Sequence, residues 1–142
     1  MGQFRPALLL SLTTRLTAAT LSPLAAETLP SCHGAMKPWQ VAELLFGRAV
    51  GRHVGVSETE WARFVARELT PHFPDDLTIT DAVGQWRVVG GTLVREPAKR
   101  VEIVLPGNAD DEARLADAVQ SYKREFRQHS VGVIVHAACV SF

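Results

Sequence analysis

Hydrophobic positions along the chain switch several times between a period of two and a period near 3.6, and the switches mark its elements. Val41 to Val50 carries Leu44, Phe46 and Val50 on one side and Leu45 on the other. Apolar residues on both sides predict a central strand. Gly51 to Val56 reads as a turn, and Ser57-Glu58-Thr59-Glu60 as a capping box, in which Ser57 accepts from the Glu60 amide while Glu60 reaches back. Trp61, Phe64, Val65 and Leu69 then fall on one stripe of a helix. Pro71 is expected to end that helix, because the residue before a proline avoids the helical region.

After a turn at His72 to Asp76, the strand period returns at Leu77-Thr78-Ile79-Thr80 and extends through Gly84 to Val89. Gly90-Gly91 is a two-residue hairpin signal, since both central residues of such a turn need positive φ. The return strand is Thr92 to Leu105, where Pro97 calls for a bulge or an edge position. Pro106-Gly107-Asn108 forms a loop, and Asn108 or Asp110 can cap a second helix with Leu115, Ala118, Val119, Tyr122 and Phe126 on one face. Asp110, Asp111 and Glu112 at its start and Lys123, Arg124 and Arg127 at its end suit the helix dipole. Val131 to His136 alternates as a last strand.

The order β-α-β-β-α-β predicts an α+β ferredoxin-like fold, a four-stranded antiparallel sheet in the order 4-1-3-2 with two helices on one face. Each helix has a single apolar stripe, so Trp61, Phe64, Tyr122 and Phe126 belong to one core between helices and sheet. The other sheet face is left open, a place for a second copy of the chain in a homodimer or for a ligand.

Composition adds the compartment. The 142 residues hold 15 Lys+Arg against 15 Asp+Glu, and this balance argues against nucleic acid, which selects basic surfaces. Residues 1–26 contain Arg5 and Arg15, apolar runs, small residues at Ala25-Ala26 and no acid before Glu27. That layout is a secretory signal peptide. A membrane span needs roughly 20 apolar residues, and Arg15 interrupts the one candidate. Residues 27–40 then form a lead segment containing Cys32, and residues 41–142 a single domain, exported to the periplasm or the medium. Removing the signal leaves two fewer basic than acidic side chains.

The predicted topology returns the chain end to the segment before the first strand, so it brings Cys32 and Cys139 together. An exported protein with two such cysteines points to a disulfide. The rival is a zinc site from Cys32-His33 and His136-x-x-Cys139, disfavoured because adjacent residues chelate one ion awkwardly. A second rival is a lipidated Cys32 after Leu29-Pro30-Ser31, which Glu27 and Pro30 fit badly. No metal or cofactor is expected.

A two-residue turn at Gly90-Gly91 would set Trp86 opposite Arg95, Gln85 opposite Glu96, and Asp81 opposite Arg100. Asp81, Gln85, Trp86, Arg95, Glu96 and Lys99 would then gather on one hairpin. There Arg95 or Lys99 could hold an anion, Trp86 could serve as an apolar platform, and Asp81 or Glu96 as acid or base. The plainer reading is a solvated hairpin laced by cross-strand ion pairs. The five histidines show no metal spacing, and neither a nucleophile elbow nor a phosphate loop is present.

The segments Glu43-Leu44-Leu45-Phe46-Gly47-Arg48, Thr70-Pro71-His72-Phe73-Pro74, Gly84-Gln85-Trp86-Arg87, Arg95-Glu96-Pro97-Ala98-Lys99 and Ala138-Cys139-Val140-Ser141-Phe142, with Leu77-Thr78 and Asp81, occur in one order. Together they resemble the bacterial domain-of-unknown-function family 3574 over residues 32–142. The resemblance implies a small exported or envelope protein without an assigned activity, whose family hallmarks include the Gly-Gln-Trp and Arg-Glu-Pro-x-Lys segments. Leu45 stands where the family pattern has tyrosine, and Ala98 where it has serine. The catalytic residues are left open. The leading expectation is an envelope domain binding a small anionic molecule at the 81–99 hairpin. The alternative is a cofactor-free dimeric α+β barrel enzyme, monooxygenase-like or isomerase-like, by fold analogy.

Overall fold

The computed structural model describes residues 30–50, 53–87 and 89–142. The signal peptide expected over residues 1–26, the turn residue Gly51 and Val88 lie outside the described residues. Strand β1 (Lys37–Gly47) begins four residues before the expected start, since Lys37 to Gln40 already pair with the last strand. It sets the layering: Ala42, Leu44 and Phe46 are buried under the helices, while Glu43 and Leu45 face away. β1 also stops before Val50. The Arg48 amide donates to the Pro97 carbonyl at 2.9 Å, and the Arg48 carbonyl accepts from the Gly55 and Val56 amides. The chain turns there, and Ala49–Val50 pair with His53–Val54 in a two-residue ladder.

The capping box at Ser57 and Glu60 is formed in full. The helix it starts, α1 (residues 58–72), runs past the expected stop at Pro71. Glu58–Phe64 is α-helical, Val65–Leu69 is π-helical, and Thr70–His72 closes it. Proline lacks an N–H and its ring crowds the carbonyl four residues back. A π turn is wider, and the Thr70 amide bonds back to Val65, so the helix absorbs Pro71 instead of ending. Thr70 itself is helical, with φ −59° and ψ −42°.

Strands β2 (Leu77–Arg87) and β3 (Leu93–Leu105) make the hairpin, α2 (Asp111–Phe126) follows, and β4 (Gly132–Val140) ends the sheet. The sheet order is β2-β3-β1-β4, all antiparallel, so the chain has the ferredoxin-like topology with both helices on one face. β4 reaches four residues beyond the expected His136. Asp110 occupies the N-cap of α2, but its side chain does not cap; the Asp111 carboxylate instead accepts from the Gly107 and Asn108 amides at 3.0 and 2.8 Å. The core beneath the helices is aromatic. Phe46 lies 4.7 Å from Tyr122 and 5.2 Å from Trp61, centroid to centroid, and Tyr122 lies 4.8 Å from Phe126.

The hairpin register differs from the expected one by a residue. Gln85 pairs with Arg95, Trp86 with Val94, Gly84 with Glu96 and Asp81 with Lys99. β2 ends at Arg87 and β3 begins at Leu93, in place of strands joined by a two-residue turn. Gly90 and Gly91 still take positive φ, at 98° and 90°. Pro97 causes no bulge, as pairing runs unbroken from Leu77 to Arg87. It sits at a local edge, because β1 pairs with β3 only as far as Gly47 and Ala98.

Cys32 and Cys139 are bonded, with their Cα atoms 5.6 Å apart. Both sulfurs are therefore engaged, which removes them as zinc ligands and Cys32 as a lipid acceptor. The bond closes a separation of 107 residues. Loop-closure entropy puts its contribution at up to about 5 kcal/mol. Urea unfolding with and without dithiothreitol should show a loss of that order, and the unreduced protein should expose no reactive thiol when unfolded. Two reactive thiols would contradict the bond.

Candidate functional site

At the end of β1 and the start of α1, Gly47, Arg48, Ala49 and Glu58 are strapped to α2 and to the projecting end of β3 by a series of polar contacts. The buried Tyr122 hydroxyl donates to the Gly47 carbonyl at 2.8 Å. Burial pushes that hydroxyl above its ordinary pKa, so it stays a neutral donor. Glu96 lies on the open sheet face, over the space that Gly47 and Gly84 leave by having no side chain. Its carboxylate accepts from the Ala49 amide at 3.0 Å. Partial burial raises the Glu96 pKa, and the Ala49 bond opposes that rise.

On the opposite face, the Lys99 ammonium is buried and held by Asp81 and by Glu58, the latter at 2.9 Å. Glu58 also takes the Arg48 guanidinium, whose Nε donates to the Val56 carbonyl at 2.9 Å. Two buried cations are thus covered by two exposed carboxylates. The hydrogen bond from Lys99 holds both the Asp81 and the Glu58 pKa below ordinary values, and the same contacts raise that of Lys99.

The six residues expected to gather on the hairpin divide between its faces. Asp81, Lys99, Gln85 and Arg95 share the helix-side face, with Arg95 Nε donating to Gln85 at 2.7 Å. Trp86 and Glu96 lie on the other face. The one-residue change of register is the cause, because neighbours along a strand point to opposite faces. Arg48, Glu58 and Gly47 were not among the expected residues. Glu58 reads in sequence as a first-turn helix residue, and nothing local to Arg48 marks it as Glu58's partner.

A concavity lies at the other end of the sheet, near the disulfide. It encloses about 370 Å³ and is walled by Trp39, Phe73 and Phe142, with Asp75, Asp76 and Arg114 among its polar residues. Trp39 and Phe142 stand 6.4 Å apart, centroid to centroid, and the Arg114 guanidinium lies 5.4 Å from the Phe73 ring centre. Arg114 donates to the His72 carbonyl at 2.6 Å and to Asp111. Its Nε is buried without a hydrogen-bond partner, 3.4 Å from Asp110.

The family model for proteins of unknown function DUF3574 matches residues 41–142. This chain belongs to that family. No curated protein matches the DUF3574 chain. It is similar in structure to a phage SAM lyase in complex with S-methyl-5′-thioadenosine, at 15% identity and TM-score 0.57, covering 82% of this chain and 97% of the lyase. The apo state of a phage SAM lyase gives 18% identity and TM-score 0.56, covering 81% and 98%. CutA from Synechococcus elongatus, complexed with Bis-Tris, gives 12% and 0.49, covering 75% and 87%. The two lyase matches show the shared fold.

Two predictions follow from the strap. Gly47→Ala drives a methyl group into the Glu96 carboxylate and should cost about 1 to 3 kcal/mol in urea unfolding. Adding Glu96→Ala should recover part of that loss, a coupling that a double-mutant cycle reads directly. Asp81 and Glu58 have folded pKa values below their ordinary 3.8 and 4.5. Their contribution is therefore present above those values and is lost as the pH falls below them. Lys99→Met should flatten the acid limb of a stability curve below about pH 4.5, and an unchanged limb would show that the pairs contribute nothing.

Proposed function

We propose that this protein is an exported binding domain that takes a small, flat, amine-bearing molecule in the cleft of Trp39, Phe73 and Phe142. The cleft carries the reading: aromatic walls give a flat ligand apolar contact, and Asp75 and Asp76 give an amine its counter-charge. The charge of Arg114 is already balanced by Asp110 and Asp111, so the cleft favours cations over anions. Export is supported by the Cys32–Cys139 bond, since disulfides persist in oxidising compartments. No helix among the described residues is long and apolar enough to cross a membrane.

A second reading keeps the anionic ligand on the hairpin. Arg95 and Arg87 are exposed on one face there, flanking Gln85. Lys99 adds little to it, because two carboxylates already hold its ammonium. The barrel-enzyme reading has less support. Neither the aromatic cleft nor the α2–β4 groove described below borders Asp81 or Glu96, and the centre of the open face carries the Arg100 ion pairs with Glu43 and Glu102.

Thermal unfolding of the purified protein with tyramine and tryptamine, set against hydroxyphenylacetate and indoleacetate, separates the two ligand readings. An amine at 100 times its dissociation constant should add about 2.7 kcal/mol of stability, and Trp39→Ala should abolish the gain. Stabilisation by the acids, lost in Arg95→Ala and kept in Trp39→Ala, would move the site to the hairpin. No stabilisation by either series would overturn both.

A further inference from the structure

One margin of the sheet is guarded by charge and the other is bare. β2, on one edge, carries Asp81 and Arg87, and charged residues on an edge strand discourage pairing with another chain. β4, on the other edge, reads Gly-Val-Ile-Val-His-Ala-Ala-Cys-Val, and residues 131–142 contain no Asp, Glu, Lys or Arg. Gly132 to Ala137 are all exposed, with Val133, Ile134 and Val135 at 47%, 49% and 44%. β1 pairs with one flank of β4, and among the described residues nothing pairs with the other. Backbone donors and acceptors of a long apolar strand are thus left facing outward.

Beside this edge, on the helix side, Val133 and Val135 line a groove of about 510 Å³ with Leu105, Leu115 and Val119, its polar lining being Gln40, Asp111, Glu112 and Gln120. Both faces of the strand margin are therefore apolar, with Ile134 on the far side.

We propose that a second copy of this chain pairs with β4, antiparallel and about a two-fold axis, joining the two sheets into one. A two-fold axis brings a strand against its own image, so a charge near the middle would face its own copy. β4, which lacks Asp, Glu, Lys and Arg and whose His136 falls opposite Gly132 when the axis lies at Ile134, is self-complementary in this sense, and β2 is not. An axis normal to the sheet keeps both helix layers on the same side. Val133 and Val135 of each copy then meet at the joint, where the two grooves become continuous and are closed by the α2 helices. With the axis at Ile134, Val133 of one copy faces Val135 of the other, and the ladder over Gly132 to His136 is about 17 Å long. The groove alongside adds apolar surface toward the roughly 1,200 Å² that a specific interface buries. Face-to-face stacking would instead bury the Glu43–Arg100–Glu102 ions, which carries a desolvation cost.

The test is sedimentation equilibrium of the full, disulfide-bonded protein, together with amide hydrogen exchange of β4 at low and high concentration. The expected result is a dimer whose formation slows exchange at residues 132–137. Val135→Lys and Val133→Lys, both at exposed positions and checked by circular dichroism, should each raise the dimer dissociation constant at least about tenfold. Trp86→Ala, on the open face, should leave it unchanged. A monomer at every concentration overturns the proposal, including one with β4 amides already protected, which would place residues 1–29 on the edge. A dimer lost in Trp86→Ala but kept in both lysine variants, or one that leaves β4 exchange unchanged, also overturns it.

Discussion

The hydrogen bond from the Tyr122 hydroxyl to the Gly47 carbonyl joins the aromatic core to the polar end of the sheet. A hydroxyl buried beside Phe46, Trp61 and Phe64 is costly unless it is bonded. Gly47 supplies the acceptor, and in doing so it ties α2 to the point where β1 gives way to a turn. The contacts that follow build outward from there. The Arg48 amide reaches Pro97, the Ala49 amide reaches Glu96, and the Ala49 carbonyl accepts from Gln128 just beyond α2 at 2.8 Å. Any residue would supply the carbonyl; glycine is needed at 47 for the gap that lets Glu96 lie across the strand end.

The ion chain beside it has an uneven exposure that defines its role. Arg48 and Lys99 are enclosed, while the carboxylates that neutralise them face water. Exposed carboxylates keep their hydration and still satisfy cations that could not be buried alone. Glu58 carries two duties, beginning α1 and bridging both cations. The Arg95-Glu96-Pro97-Ala98-Lys99 segment thereby acquires a structural account: Glu96 holds Ala49 and Lys99 holds Glu58 from opposite faces, and Pro97 sits between them with its carbonyl taken by Arg48.

At the far end the disulfide has a comparable effect. It ties the segment before β1 to β4, next to the Trp39 and Ala138 pair. Trp39 and Phe142 on these tied segments make one wall of the aromatic cleft, and Phe73 with Arg114 makes another. The protein thus has a polar, charge-balanced end and an aromatic, open end, with an apolar strand margin alongside.

The order of elements, the capping box, the aromatic core and the Cys32–Cys139 pairing were legible in the sequence, because each depends on local period or on topology that the period implies. The hairpin glycines were legible too, but not the loop length. Gly90-Gly91 takes positive φ in a two-residue turn or in a longer connection, and the register observed moved every cross-strand partner by one, separating Trp86 and Glu96 from Asp81 and Lys99. Pro71 misled for a similar reason: local sterics disfavour a regular helix there, and a π turn avoids the clash while Leu69 and Phe73 are buried against the core. The cleft was invisible, since it is drawn from five segments between residues 39 and 142. Sequence alone determined the period and polarity of each element. Tertiary structure decided which faces meet, because register and burial are set by contacts between residues far apart in the chain.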